Sequence, residues 1–263
     1  MGPEEPRVVA ILQARMGSER LPGKVLMRIA GEPMIGRVLA RAGRCPSVDD
    51  VLVATTWDEA DDEIAAWCES NGYQVYRGHP TDVLDRYFQA AIQVEAEVVV
   101  RFTADCPLLD PEVSERTIQR FLQAEPSLDF VANRLPDRRT YPIGLDTEVC
   151  SMEALARAWR EAEAPHQREH VMPYLYETPQ FDIALVEAEQ DWGEERWTVD
   201  TPEDLAFVRA VYSAMSPQED FGWRRVLELL EEHPELREIN REVKHRSLQE
   251  IDERFSSAKS DGG

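Results

Sequence analysis

The sequence predicts an α/β fold with a mainly parallel central sheet. Short apolar runs such as 8–12 (VVAIL) and 97–102 (EVVVRF) are typical of buried strands. The segments between such runs carry apolar residues at helical spacing, and glycine, proline or asparagine marks many of the boundaries. Regular alternation of this kind is typical of a parallel sheet with helices on both faces.

The amino-terminal half alternates most regularly. Met34, Ile35, Val38 and Leu39 recur at the spacing of one helical face, directly before the strand-like run VLVAT. In this half, strands are predicted at 8–12, 51–55, 73–76 and 97–102, and helices at 33–44, 58–71 and 81–94.

The second half is more mixed. Asp110 and Pro111 form an N-cap followed by proline, which predicts the start of a helix. Thr201 to Asp204 predicts a capped helix that runs to about residue 215. Further strands are predicted at 128–133, 141–149, 181–188 and 196–199, and further helices at 151–162 and 167–176.

A charged carboxyl-terminal region follows this α/β part. Val226, Leu227, Leu229 and Leu230 form one helical stripe, which we expect to pack on the main domain or on a second subunit. The sequence thus predicts a sheet domain over 1–215, a helical extension over 216–255 and a disordered tail over 256–263. A homodimer is compatible with this organisation.

The charge of the chain limits its partners. The 263 residues include 51 acidic and 29 basic side chains, which gives a formal net charge of -22. Nucleic-acid binding draws most of its affinity from Lys and Arg, so a nucleic-acid partner is disfavoured. A small nucleotide stays possible, because a few cations and a divalent metal in one cleft are enough to bind its phosphates.

The cysteines and the apolar runs predict a cytoplasmic protein. Cys45, Cys68, Cys106 and Cys150 lie far apart, which argues against a disulfide framework and a thiolate zinc site. The charged start of the chain lacks the apolar region of a signal peptide. Apolar runs stay below the roughly 18 residues of a transmembrane helix, so we expect no membrane partner.

A basic loop follows the first predicted strand. Residues 13–24 (QARMGSERLPGK) combine Arg15, Arg20 and Lys24 with glycines that let backbone N–H groups approach phosphate oxygens. Ligands of α/β proteins bind at the carboxyl ends of parallel strands, where this loop lies. The spacing fits neither a Walker loop nor G-x-G-x-x-G, and the alternative interpretation is an ordinary solvated basic loop.

Two aspartates follow strands elsewhere in the chain. Asp105 comes after 97–102, and Asp200 comes after 196–199. Carboxylates that converge at one sheet edge could bind a hard cation, for which Mg²⁺ is the natural candidate. Alternatively, each aspartate simply caps the turn or helix that follows it.

Six ordered segments give the chain a family resemblance. They are QARMGSERLPGKVL, RGHPTDVLDRY, RFTADCPLLDP, YPIGLDTEV, REHVMPYLY and RWTVDTPEDLAFV. Together they resemble the spore-coat polysaccharide biosynthesis family of cytidylyltransferases, which is related to the enzymes that make CMP-ketodeoxyoctonate and CMP-sialic acid. The resemblance covers residues 8 to about 215 and implies a glycosyltransferase-A-like, Rossmann-like fold, with 1–215 as the nucleotidyltransferase domain.

The resemblance also implies an activity and a set of site residues. The expected reaction transfers CMP from CTP to a sugar or sugar-acid acceptor, releases pyrophosphate and serves polysaccharide or glycan precursor biosynthesis. Catalysis is expected from Arg15, Lys24, Asp105 and Asp200, of which Asp105 and Asp200 would bind Mg²⁺. The expected nucleotide-binding residues are Gln13, Ala14, Arg15, Gly17, Ser18, Arg20, Lys24, Arg77, Asp82, Arg101 and Thr103, with Arg86 nearby. The expected acceptor-binding residues are Asn133, Tyr141, Gly144, Asp146, Glu148, Arg168, His170 and Trp197.

Other activities fit the sequence less well. His166 to His170 matches the inverted zinc-protease pattern H-x-x-E-H, but no obvious third ligand accompanies it, and no G-x-S-x-G elbow supports a serine hydrolase. The alternatives on the same fold are a nucleotidyltransferase that uses another NTP or a glycosyltransferase. A non-catalytic nucleotide-binding subunit is a third alternative.

Overall fold

A computed structural model describes residues 6–215 and 220–244. The strands are β1 Val8–Gln13, β2 Arg28–Ile29, β3 Glu32–Pro33, β4 Asp50–Thr56, β5 Gln74–Gly78, β6 Val98–Thr103, β7 Phe130–Ala132, β8 Arg134–Leu135, β9 Arg138–Arg139, β10 Glu148–Ser151 and β11 Ile183–Leu185. The α-helices are α1 Met34–Ala42, α2 Asp62–Ser70, α3 Val83–Gln93, α4 Pro111–Leu122, α5 Met152–Glu161, α6 Pro165–His170, α7 Pro173–Glu177, α8 Pro202–Ala214 and α9 Trp223–Glu232. Short 3₁₀ helices lie at Lys24–Leu26, Glu59–Asp61 and Pro234–Ile239.

The central sheet is mainly parallel. Its seven strands lie in the order β11-β7-β10-β6-β1-β4-β5, and β10 alone runs against its two neighbours. Gln13 at the end of β1 is in register with Thr103 of β6 on one side and Ala54 of β4 on the other. The carboxyl ends of three parallel strands therefore meet at one edge, as the sequence predicted, and the mainly parallel α/β fold is confirmed.

Apolar side chains fill both faces of the sheet. The α3 helix packs Leu84 and Tyr87 on one face, where the Tyr87 hydroxyl donates to the carbonyls of Ile11 at 3.0 Å and Phe102 at 2.9 Å. On the other face, Ile35 and other apolar side chains of α1 join the core. Each fully buried large apolar side chain contributes about 1.5–3 kcal/mol, so this packing fixes the strands whose ends carry the polar loops.

Aspartate caps connect helices to the sheet edge. Asp110 caps α4 by accepting the N–H of Val113 at 3.0 Å, and its second oxygen accepts the N–H of Trp223 at 2.7 Å. Thr201 and Asp204 form a reciprocal capping box at the start of α8. Asp200 is therefore fixed directly before a helix amino terminus.

Several predicted elements are shorter or more broken in the structure, among them the strand predicted at 181–188, which is reduced to β11. Residues 141–147 precede β10 as irregular chain, because Pro142 has no N–H donor and Gly144 adopts φ 109°. Residues 196–199 form a single bridge between Arg196 and Ile143 instead of a strand. The predicted helix at 167–176 is two helices, because Val171 has φ 71° and Pro173 follows it.

The carboxyl-terminal region contains the predicted helix. In α9, Val226, Leu227, Leu229 and Leu230 are buried in the same apolar cluster as Val208 and Val211 of α8. The tail predicted at 256–263 lies outside the described residues, and the domain boundary at 215 stays a prediction. Within 6–215 and 220–244, every helix is too short or too polar to cross a membrane.

Candidate active site

A cleft of about 240 Å³ opens at the carboxyl edge of β1 and β6. The loop after β1 contributes one part of the lining, and the amino-terminal turn of α3 and the end of α6 contribute another. The residues that line the cleft are Gln13, Ala14, Arg15, Ser18, Glu19, Arg20, Lys24, Val25, Val83, Arg86, Thr103, Ala104, Asp105, Glu169, His170 and Asp200. The basic loop, Asp105 and Asp200 therefore share one cavity.

Lys24 joins the two aspartates. Its Nζ atom lies 2.8 Å from Oδ2 of Asp105, 2.9 Å from Oδ1 of Asp200 and 2.7 Å from the carbonyl oxygen of Val199. An ammonium group has three donors, so these three acceptors use all of them. The side chain is buried, and although desolvation alone would lower the pKa of Lys24, the charges of Asp105 and Asp200 raise it above its ordinary value.

Asp200 is held by three cations. Besides Lys24, Arg20 lies 3.0 Å and Arg196 lies 2.8 Å from its Oδ2 atom. Burial opposes ionisation of this carboxyl group, but Lys24, Arg20 and Arg196 outweigh burial and hold the pKa of Asp200 well below its usual range. Asp200 is thus a carboxylate throughout the physiological pH range.

A second ion pair lies beneath the cleft. Arg101 and Glu148 face each other across β6 and β10, and both side chains are more than nine-tenths buried. Arg101 also donates to Oε1 of Gln13 through Nη2 at 2.9 Å and through Nε at 3.2 Å. Neither Arg101 nor Glu148 lines the cleft; Arg101 orients Gln13, which does line it, and Glu148 holds Arg101.

On the α3 side, Arg86 lines the cleft, whereas the predicted site residues Arg168 and Asp82 do not line it and support it from outside. Arg168 pairs with Asp82, the N-cap of α3, and donates to the carbonyl of Trp159 at 2.6 Å, which fixes α6 against α3. Arg86 lines the cleft, is almost fully buried and donates to the carbonyl of Pro80 at 3.2 Å. Burial lowers the pKa of Arg86 to about 10. The wall of the cleft on this side therefore contains a desolvated guanidinium.

Several predicted acceptor residues lie in the core instead. Tyr141 is 2% exposed and Trp197 is fully buried, and neither ring lines the cleft. Asn133 is also buried, where it donates to the carbonyl of Leu145 at 2.7 Å and accepts the N–H of Thr147 at 2.8 Å. These contacts give Asn133 a role in holding residues 145–147 in place.

Other predicted site residues also lie off the cleft. A Cβ on Gly144 would lie 2.7 Å from the backbone nitrogen of Thr198, so this glycine permits close packing of two chain segments. Asp146 pairs with Arg139 and Arg134. Arg77 donates to the carbonyls of Thr56 and Asp58 and pairs with Asp62. Neither Arg77 nor Gly17 lines the cleft.

Five cleft residues were not among the predicted ones. They are Glu19, Val25, Val83, Ala104 and Glu169. Glu19 and Val25 belong to the basic loop and its continuation, and Glu169 precedes His170, so adjacency to predicted residues was the available signal. Val83 and Ala104 are small apolar wall residues, whose role depends on the tertiary fold.

The zinc-protease pattern is not assembled as a metal site. His166 pairs with Glu177, whereas His170 lines the cleft. Among residues 6–215 and 220–244, no group of three or more His, Cys, Asp or Glu side chains is placed to hold a metal. The structure therefore gives the pattern H-x-x-E-H no support as a zinc centre.

The sequence model of a family described as cytidylyltransferase matches residues 9–232. This match covers the basic loop, both aspartates and every cleft residue. The chain belongs to the cytidylyltransferase family.

Similar proteins agree with this membership. The spore coat polysaccharide biosynthesis protein SpsF of Bacillus subtilis is 30% identical over 236 residues, which cover 87% of this chain and 95% of that protein. A 3-deoxy-manno-octulosonate cytidylyltransferase of Anaeromyxobacter sp. is 30% identical over 243 residues, with 79% of this chain and 98% of that protein covered. The solved structure of a cytidylyltransferase from Leptospira borgpetersenii superposes with a TM-score of 0.84 at 29% identity, and covers 92% of this chain and 100% of that one. The resemblance in sequence and the nucleotide-sugar transferase fold are both confirmed.

Proposed function

We propose that this cytidylyltransferase family member transfers CMP from CTP to a sugar or sugar-acid acceptor and releases pyrophosphate. The observation that carries the proposal is the convergence of Asp105, Asp200 and Lys24 in the cleft formed by the basic loop. The names of the Bacillus and Anaeromyxobacter relatives support a sugar-type acceptor and a role in glycan precursor synthesis.

The donor set of the cleft fits a divalent cation. One oxygen of Asp105 and one of Asp200 already lie within 3 Å of a single positive group, the Lys24 ammonium. The two carboxylates keep 26% and 21% of their side-chain surface exposed, so they are open to the cleft. Mg²⁺ commonly takes one or two carboxylates and completes its shell with water and phosphate oxygens, which matches two acids in a nucleotide cleft.

Bound Mg²⁺ would neutralise phosphate charge and stabilise the pyrophosphate leaving group. Asp105 and Asp200 would hold it, while Arg15 and Arg20 of the basic loop bind the triphosphate. Lys24 has to change partners, because all three of its donors are used by protein acceptors in this arrangement. When Lys24 turns from the carboxylates, its ammonium becomes available to a phosphate oxygen.

Positioning is the main contribution that this chain makes to the reaction. An acceptor oxygen forms a bond to the α-phosphorus, the bond from that phosphorus to the β-phosphate bridging oxygen breaks and releases pyrophosphate, and the acceptor hydroxyl gives up its proton to water. Arg86 and His170 lie on the α3 side of the cleft, where a buried guanidinium suits an anionic acceptor. The negative charge of a sugar-acid carboxylate would be stabilised there.

The proposal is tested by incubating the protein with each NTP, Mg²⁺ and a panel of sugar acids and sugar phosphates. Pyrophosphate release is then followed. CTP-selective release with one acceptor is the expected result. Release with another NTP alone would replace the cytidylyl assignment with another nucleotidyltransferase. Transfer from a finished nucleotide sugar without pyrophosphate would identify a glycosyltransferase.

A further inference from the structure

The carboxyl-terminal segment reaches Asp200 through a chain of buried hydrogen bonds. Nη2 of Arg196 donates to Oδ2 of Asp200 at 2.8 Å and to Oδ2 of Asp204 at 3.0 Å. Nε of Arg196 donates to the other oxygen of Asp204 at 2.9 Å. A single guanidinium is thus shared between a cleft carboxylate and a carboxylate in the protein interior.

Asp204 is the centre of this chain. It is fully buried, and besides Arg196 it accepts the backbone N–H groups of Asp200 at 3.0 Å and Thr201 at 3.1 Å. A buried carboxylate depends on such donors because it has lost its hydration. Its position therefore fixes both the backbone of Asp200 and the guanidinium that holds the Asp200 side chain.

Asn240 completes the chain from beyond α9. Its Nδ2 group donates at 3.0 Å to Oδ1 of Asp204 and at 3.0 Å to the carbonyl of Arg196, so both amide hydrogens are used. The residue is 6% exposed. It lies outside the segment 9–232 that matches the family, in residues that the sequence alone suggested only for packing.

We propose that Asn240 is a positioning residue for Asp200. It holds Asp204 and the Arg196 backbone, and through them keeps Oδ1 of Asp200 directed at the position that the Lys24 ammonium now takes. Loss of the amide removes one donor from a buried carboxylate and leaves the Arg196 carbonyl without this partner. Arg196 is then drawn toward Asp204, and the hold on the Asp200 side chain is reduced from three cations to Lys24 and Arg20. This role rests on the proposed function, in which Asp200 binds the metal of the CTP complex.

The test measures CTP binding by isothermal titration without acceptor, once in Mg²⁺ and once in EDTA. Asn240→Ala should lower the CTP affinity in Mg²⁺ on the order of tenfold, as is usual for residues that orient metal ligands, and should leave the affinity in EDTA unchanged. Asn240→Gln keeps an amide donor and should lose less. Ile239→Ala is the matched control, because Ile239 packs on the apolar core from the same segment without entering the hydrogen-bond chain.

A purely structural role gives a different pattern. If Asn240→Ala lowers the melting temperature as Ile239→Ala does, yet binds CTP in Mg²⁺ like the wild type, Asn240 does not position Asp200. Asp200→Asn serves as the reference for the proposed function itself. If the wild type and Asp200→Asn bind CTP with equal affinity in Mg²⁺, Asp200 does not bind the metal. The proposed role of Asn240 is then contradicted as well.

Discussion

The Nζ atom of Lys24 lies 2.9 Å from Oδ1 of Asp200, and the same ammonium lies 2.8 Å from Asp105. The sequence suggested that Lys24 binds phosphate and that the two acids bind a metal. The structure shows the three groups paired with each other. In the proposed reaction, Mg²⁺ that binds with the substrate therefore replaces the Lys24 ammonium beside Asp105 and Asp200. The two carboxylates are neutralised both without substrate and with it.

Lys24→Met should reduce the acid sensitivity of the fold. The pKa of the Asp200 carboxyl is depressed in the folded chain, so its contribution to stability is present above the unfolded pKa of about 4 and is lost as pH falls through the folded pKa. Without Lys24 the depression is smaller. Between about pH 5 and about pH 2, the variant should lose less unfolding free energy than the wild type. Urea denaturation at several pH values checks this.

The exposed Lys244 provides a control for that experiment. Lys244→Met removes the same charge and should follow the wild-type profile. Equal acid-dependent loss in Lys24→Met and the wild type would show that Lys24 does not depress the Asp200 pKa.

Glu148→Gln should be strongly destabilising. The Glu148 carboxylate and the Arg101 guanidinium are both buried, and removal of one partner leaves an uncompensated charge. Losses of about 3–5 kcal/mol are typical of such variants. The double variant Arg101→Met with Glu148→Leu should recover part of this loss, as shown by urea midpoints. If the loss of unfolding free energy in the double variant equals the sum of the losses in Arg101→Met and Glu148→Leu, the two side chains do not form a coupled buried pair.

Trp197→Phe tests whether the predicted acceptor residues in the core contact substrate. Trp197 is fully buried, and in the described part of the chain its indole Nε1 has no hydrogen-bond partner. The smaller ring should cost about 1–3 kcal/mol of stability and leave the acceptor KM unchanged. Steady-state kinetics with the acceptor found by the pyrophosphate assay gives the answer. A several-fold rise in KM, with little change in stability, would restore Trp197 as a binding residue.

The sequence predicted the residues of the cleft better than it predicted the residues that would bind the acceptor. Asp105 and Asp200 could be located because each follows a strand-like run, and the carboxyl ends of parallel strands meet at one edge. Gln13 and Lys24 followed from the same rule. The pairing of Arg101 with Glu148 depends on the register of antiparallel β10, which local patterns do not specify.

Burial explains the remaining differences. The family resemblance implied binding roles for Tyr141, Asn133 and Trp197, yet the irregular segment at 141–147 and the bridge at Arg196 place them in the interior. The link from Asn240 to Asp204 joins residues 36 positions apart through two buried polar side chains. Neither spacing nor periodicity indicates such a contact.

The most direct test of the proposed reaction follows a radioactive label in CTP, with the acceptor identified by pyrophosphate release. Label in the α-phosphate should appear in the sugar product, label in the γ-phosphate should appear in pyrophosphate, and Asp105→Asn should reduce both by at least about 100-fold. The exposed-acid control Asp62→Asn should retain wild-type transfer. Transfer of the γ-label to the acceptor, or full α-label transfer by Asp105→Asn in Mg²⁺, would contradict cytidylyl transfer at a metal held by Asp105 and Asp200.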